Sequence, residues 1–128
     1  MGQILLLDNF KAPVLHMESA LGIEIKLVDS VEDARAHLIE EDQGYDALIV
    51  EPFIYHKRLD QIDELHDLMI SAINVHQLPV IAYSTQSEDE MGIIYSLKEG
   101  VHYDAFVTKW SCLNKYLKNT LDSLLNHS

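Results

Sequence analysis

Five short apolar runs separated by amphipathic segments constrain this chain more than any other feature. Ile4–Asp8 is apolar until its closing acid, and Ala47–Val50, Val80–Tyr83 and Ala105–Val107 are continuous, whereas Ile23–Val28 alternates. A continuous run of four or five apolar residues suits a strand covered on both faces, as in a parallel sheet flanked by helices. An alternating run suits a strand at an edge, half covered. Strand–helix repeated five times implies a parallel sheet with helices on both faces, linked by right-handed crossovers.

The intervening segments carry helix signals. Pro13 suits a first turn and Gly22 a stop, so a helix is expected between them. Ser30 followed by Asp33 opens a second helix as a variant capping box, with Val31, Ala34 and Leu38 as its stripe and Gly44 as its end. Leu59 to Val75 is the longest periodic stretch, with Ile62, Leu65, Leu68, Met69, Ala72 and Ile73 on one face. Ser87 caps a fourth helix bearing Met91, Ile94 and Tyr95 and expected to end at Gly100. Leu113, Leu117, Leu121 and Leu124 stripe a fifth. The expected fold class is α/β: a flavodoxin-like five-stranded parallel sheet of order 2-1-3-4-5 with five helices on two faces.

Composition narrows the function classes. A length of 128 residues fits one domain, expected over 1–128 with no output domain after it. Such a chain buries roughly 70% of its unfolded surface, enough for one core. Apolar residues make up 48% and no apolar run approaches the ~20 residues that cross a bilayer, so no membrane association is expected. The N-terminal residues lack the basic leader of a signal peptide. A single cysteine, Cys112, leaves no internal disulfide, and a cytoplasmic location follows as the expectation. The formal charge of −12, with nine scattered Lys and Arg, opposes nucleic-acid binding by this domain alone. The seven histidines show no ligand spacing and read as scattered surface residues, and Glu88-Asp89-Glu90 reads as first-turn acids favoured by the helix dipole.

In sheets of this order ligands lie outside the carboxyl ends of the strands, at the switch point between strands 1 and 3. Asp8 and Glu51 close those two strands, and Ser84 and Lys109 close the next two. With LLLDN, DALIVEPF, LPVIAYST and DAFVTKW in this order, the chain resembles the CheY-like receiver domains of two-component response regulators over essentially its whole length. The resemblance implies that Asp8 and Asn9 sit where an acidic pair holds Mg²⁺, with Glu51 as the remaining side-chain metal ligand. It implies that position 51 accepts the phosphoryl group, that Ser84 and Lys109 contact its oxygens, and that Phe106 is the aromatic whose rotamer follows Ser84.

Three departures stand out. Glu51 replaces the expected aspartate and is one methylene longer, which misplaces an attacking carboxylate and costs rate steeply. Asn9 removes one charge from the metal site, so Mg²⁺ binding is expected to be weakened or lost, and no other cofactor is expected. Trp110 stands where the family has proline, so the Lys109–Trp110 bond is expected to be trans, since cis would cost about 3–4 kcal/mol. Pro52 removes a backbone donor beside the pocket.

The resulting expectation is an atypical receiver, not an enzyme, that signals by protein contact without phosphorylation of the usual site. Glu51 either mimics a phosphoryl charge or only fills the pocket. The docking face for a histidine kinase or an output protein is expected on helix 4, strand 5 and helix 5, with Tyr95, Tyr103 and Tyr116 exposed as anchors for a partner or a homodimer. The alternative is a working phosphorelay receiver. A flavin binder on the same scaffold is disfavoured because DNFKAPV after strand 1 carries no Ser/Thr/Gly-rich phosphate loop.

Overall fold

A computed structural model of the chain describes residues 3–8, 14–40, 44–52, 59–108 and 115–125. The strands are β1 (Gln3–Leu7), β2 (Glu24–Val28), β3 (Ala47–Val50), β4 (Val80–Ser84) and β5 (Ala105–Thr108). The helices are α1 (Val14–Leu21), α2 (Val31–Glu40), α3 (Ile62–Asn74), α4 (Glu88–Tyr95) and α5 (Lys115–Leu125). All strand pairs are parallel and the order is β2-β1-β3-β4-β5, the doubly wound arrangement expected from the alternating runs.

Side chains alternate across the sheet and sort the helices into two layers. Leu5, Leu7, Leu48, Val50, Val80 and Ala82 pack with buried residues of α2, α3 and α4. Ile4, Leu6, Ala47, Ile49, Ile81 and Val107 pack with Met17 of α1 and with Leu117 and Leu121 of α5. The three interior strands β1, β3 and β4 are buried on both faces, which is why their runs lack alternation. β2 alternates because it is an edge.

Local signals hold at several ends. The Asp33 N–H donates to Ser30 Oγ (3.1 Å) and the Glu90 N–H to Ser87 Oγ (3.2 Å), the two expected N-caps. Gly22 stops α1 at φ +67°, a conformation that a Cβ disfavours. The stretch from Leu59 starts as a 3-10 turn (Leu59–Gln61) before becoming α3, with Val75 as its C-cap. Pro13 and Leu113 lie outside the described residues.

The fourth helix differs from its sequence reading. It ends at Tyr95, not at Gly100, because Ser96 takes a left-handed conformation (φ 57°) that breaks the helix. Leu97 then turns into the core at 3% exposure, and Gly100, at φ +85°, serves the tight turn that follows. Two bonds join the start of β5 to that of β4: the Val80 N–H donates to Asp104 Oδ2 (2.8 Å) and the Asp104 N–H to the Val80 carbonyl (2.7 Å).

Candidate functional site

The carboxyl ends of β1, β3 and β4 carry three buried polar residues side by side in the sheet. The Asp8 N–H donates to the Val28 carbonyl (3.0 Å) and the Glu51 N–H to the Leu7 carbonyl (2.9 Å). Each bond extends a parallel ladder one residue beyond its strand. The backbone of each acid is thereby held by the sheet, and both acids are only 4% exposed. Ser84, the last residue of β4, is fully buried, and its Oγ accepts from the Gln86 N–H (3.1 Å). That bond uses a lone pair of the hydroxyl and shapes the turn after β4 as a Ser side-chain turn does. Asn9, Lys109 and Trp110, expected beside these residues, lie outside the described residues, as does the Lys109–Trp110 bond.

The donor chemistry of Asp8 and Glu51 fits a hard cation such as Mg²⁺, which selects oxygen ligands. Among the described residues no group of three or more His, Cys, Asp or Glu is arranged to hold a metal ion. Asp8 also borders a cleft of about 330 Å³ toward the edge of the sheet, walled by Lys26, Asp29, Asp33 and His37. Sequence reasoning missed that wall. Its residues come from β2 and α2, and only the 2-1 strand adjacency brings them beside Asp8.

Tyr95, at the end of α4, lies within electrostatic reach of Glu51. It is 1% exposed, and its phenol is pushed above the ordinary tyrosine range first by burial and then by the negative charge of Glu51. The expectation that Tyr95 and Tyr103 are exposed anchors is therefore wrong. Met91 and Tyr95, four residues apart, form the inward stripe of α4, and Ile93 and Ile94 face out at 82% and 50% exposure. Tyr103 is 3% exposed because its hydroxyl donates to Glu88 Oε2 (2.7 Å), which ties the turn before β5 to the first turn of α4. Burial, that bond and the charges of Glu88 and Glu99 raise its pKa well above the ordinary value. The side chain of Tyr116 lies outside the described set. Phe106 is half-buried and meets Tyr103 edge to face, with ring centroids 6.0 Å apart.

Two histidines also depart from the surface expectation. His66 Nε2–H donates to the Tyr95 carbonyl (2.6 Å), satisfying an orphan carbonyl at the end of α4. The His66 ring packs on that of His102, 4.5 Å between centroids. His102 is 7% exposed and accepts from the Lys98 N–H through Nδ1 (3.0 Å). Its pKa is lowered by burial first, then by His66 and Lys98. The two imidazoles thus connect the end of α4 to the turn between α4 and β5. No spacing motif announces the pair, because its members come from α3 and the turn.

The doubly wound sheet of this order is shared with solved structures of response-regulator receiver domains. An atypical orphan response regulator, described with a phosphorylation-independent regulatory mechanism, matches with a TM-score of 0.70 at 15% identity, over 98% of this chain and 97% of that one. A response regulator receiver protein from Pseudoalteromonas atlantica matches at 0.68 and 20% identity, over 98% of each chain. The phosphorylated cyanobacterial phytochrome response regulator RcpA matches at 0.69 and 17%, over 99% of this chain and 96% of that one. No protein-family model matches the sequence, and a search of curated proteins finds no match either. No helix among the described residues is long and apolar enough to cross a membrane.

Proposed function

We propose that this chain acts as an atypical receiver domain, a protein-interaction module for signal transduction that works without phosphorylation at the usual position. The observation that carries the reading is Glu51: a buried glutamate where the β3 strand end of a receiver fold presents its acceptor. Its carboxylate is one methylene longer than an aspartate's and lies within electrostatic reach of Tyr95 at the end of α4, so in this reading Glu51 takes the part that a phosphoryl group plays transiently. In this reading Asp8, Asn9, Glu51, Ser84 and Lys109 form the pocket, residues 1–128 form one domain, and Mg²⁺ binding is weak. The chain works in the cytoplasm, and a kinase or output protein docks on α4, β5 and α5.

The test exposes the wild type and Glu51→Asp to Mg²⁺ with acetyl phosphate or beryllofluoride and follows both by mass spectrometry and amide NMR. The wild type is expected to take no label and to show no shifts around Ser84. Stoichiometric labelling of the wild type at Glu51 replaces this reading with that of a working phosphorelay receiver.

A further inference from the structure

The proposed docking face has a local chemistry that selects its occupant. A groove of about 500 Å³ runs between α4 and the turn after it, lined by Asp89, Gly92, Ile93, Leu97, Lys98 and Glu99. Its exposed apolar component is Ile93, at 82% exposure, over a floor closed by the core residue Leu97, and Ile94 of α4 and Val101 of the turn are also exposed. Three carboxylates, Glu88, Asp89 and Glu99, border it, against one cation, Lys98. Gly92 leaves it open: a Cβ there would meet only the Leu97 carbonyl oxygen, at an ordinary 3.5 Å.

Resting on the interaction-module reading, we propose that this groove receives a short basic amphipathic helix of a partner protein. Its apolar stripe lies against Ile93 and its Lys or Arg residues against Asp89 and Glu99. Charge decides against the other occupants. A second copy of this chain would pair the groove with itself about a two-fold axis, because such interfaces are self-complementary. Each side of that interface would bring three carboxylates against one cation, so two net-acidic grooves would face each other within a chain of net charge −12. Nucleic acids and anionic membranes are repelled in the same way. A cationic helix meets both the apolar strip and the acidic rim, and opposite charge speeds its encounter.

The experiment uses isotope-labelled full chain and three synthetic peptides as probes. One is a helix with Leu at i, i+3, i+4 and i+7 and Lys elsewhere; the second has the same composition scrambled; the third replaces Lys by Glu. The first is expected to shift the amides of Gly92, Ile93, Leu97 and Lys98 and to weaken about tenfold as salt screens the exposed charges. Gly92→Leu, which fills the groove while removing a poor helix former, and Asp89→Lys with Glu99→Lys are each expected to weaken it about tenfold, with their spectra showing an intact fold. Equal binding by the scrambled peptide, binding by the Glu peptide, shifts confined to another face, or concentration-dependent self-association through these residues would each overturn the proposal. Labelling of Glu51 by acetyl phosphate would end the phosphorylation-independent reading without altering the peptide result, so the two failures are distinguishable.

Discussion

Acid should loosen the turn between α4 and β5, and His102 is the group responsible. Its Nδ1 accepts from the Lys98 N–H, so the neutral ring carries its proton on Nε2 and an added proton must go to Nδ1. That proton turns an acceptor toward a donor and places a charge, 7% exposed, beside His66 and Lys98. The folded-state pKa is therefore lowered below the unfolded value of about 6.5. Between those two values the unfolded chain binds more protons, so stability rises with pH there and is lost as pH falls below about 6.5. One such group contributes at most about 1.4 kcal/mol per pH unit. For 128 residues, 1 kcal/mol corresponds to about 4 °C in Tm. The assay is thermal and urea unfolding followed by circular dichroism between pH 5 and 8, on the wild type and on His102→Gln, whose amide does not titrate. The variant is expected to start about 1–2 kcal/mol less stable at pH 8, from lost ring packing and a weaker bond. It should then show a shallower fall toward pH 5. Parallel curves for the two proteins would refute the reasoning.

Three further outcomes follow from packing and backbone. Leu48→Ala, on the fully buried strand β3, should cost about 2–5 kcal/mol in urea unfolding, and a loss below 1 kcal/mol would mean that the core collapses around the gap. Asp104→Ala leaves the Val80 N–H without its side-chain acceptor and should cost about 1–3 kcal/mol, with amide exchange at Val80 rising first. Ser96→Gly should stabilise by about 0.5 kcal/mol, since the left-handed conformation costs a serine about 1–2 kcal/mol that glycine avoids, less the entropy glycine loses on folding; unchanged or lower stability would place another constraint on that turn.

Much of this architecture was legible in the residues because it depends on local physics. Strand runs, their alternation at an edge, the Ser30 and Ser87 caps and the Gly22 stop each reflect periodicity or a single backbone preference. Those signals also placed Asp8, Glu51 and Ser84 at strand ends, since a strand's last residue is set by where its apolar run stops. Facing was a different matter. On a helix as short as α4, Met91, Ile94 and Tyr95 are equally plausible as an inward stripe, and only packing against the sheet turns Tyr95 in and Ile94 out. The break at Ser96 was hidden for the same reason. Nothing local forces a serine left-handed there, and burial of Leu97 together with the His102–Lys98 bond holds the turn. The seven histidines looked alike as letters, yet His66 and His102 are 36 residues apart in sequence and pack with tilted rings 4.5 Å apart. By itself, then, the sequence determined the order of elements, the class of a parallel sheet covered by helices on both faces, and the residues that close the strands. Tertiary structure alone decided which aromatic faces in, which imidazoles meet and which acids share a cleft. Those outcomes depend on contacts between segments far apart along the chain, and neither periodicity nor capping encodes them.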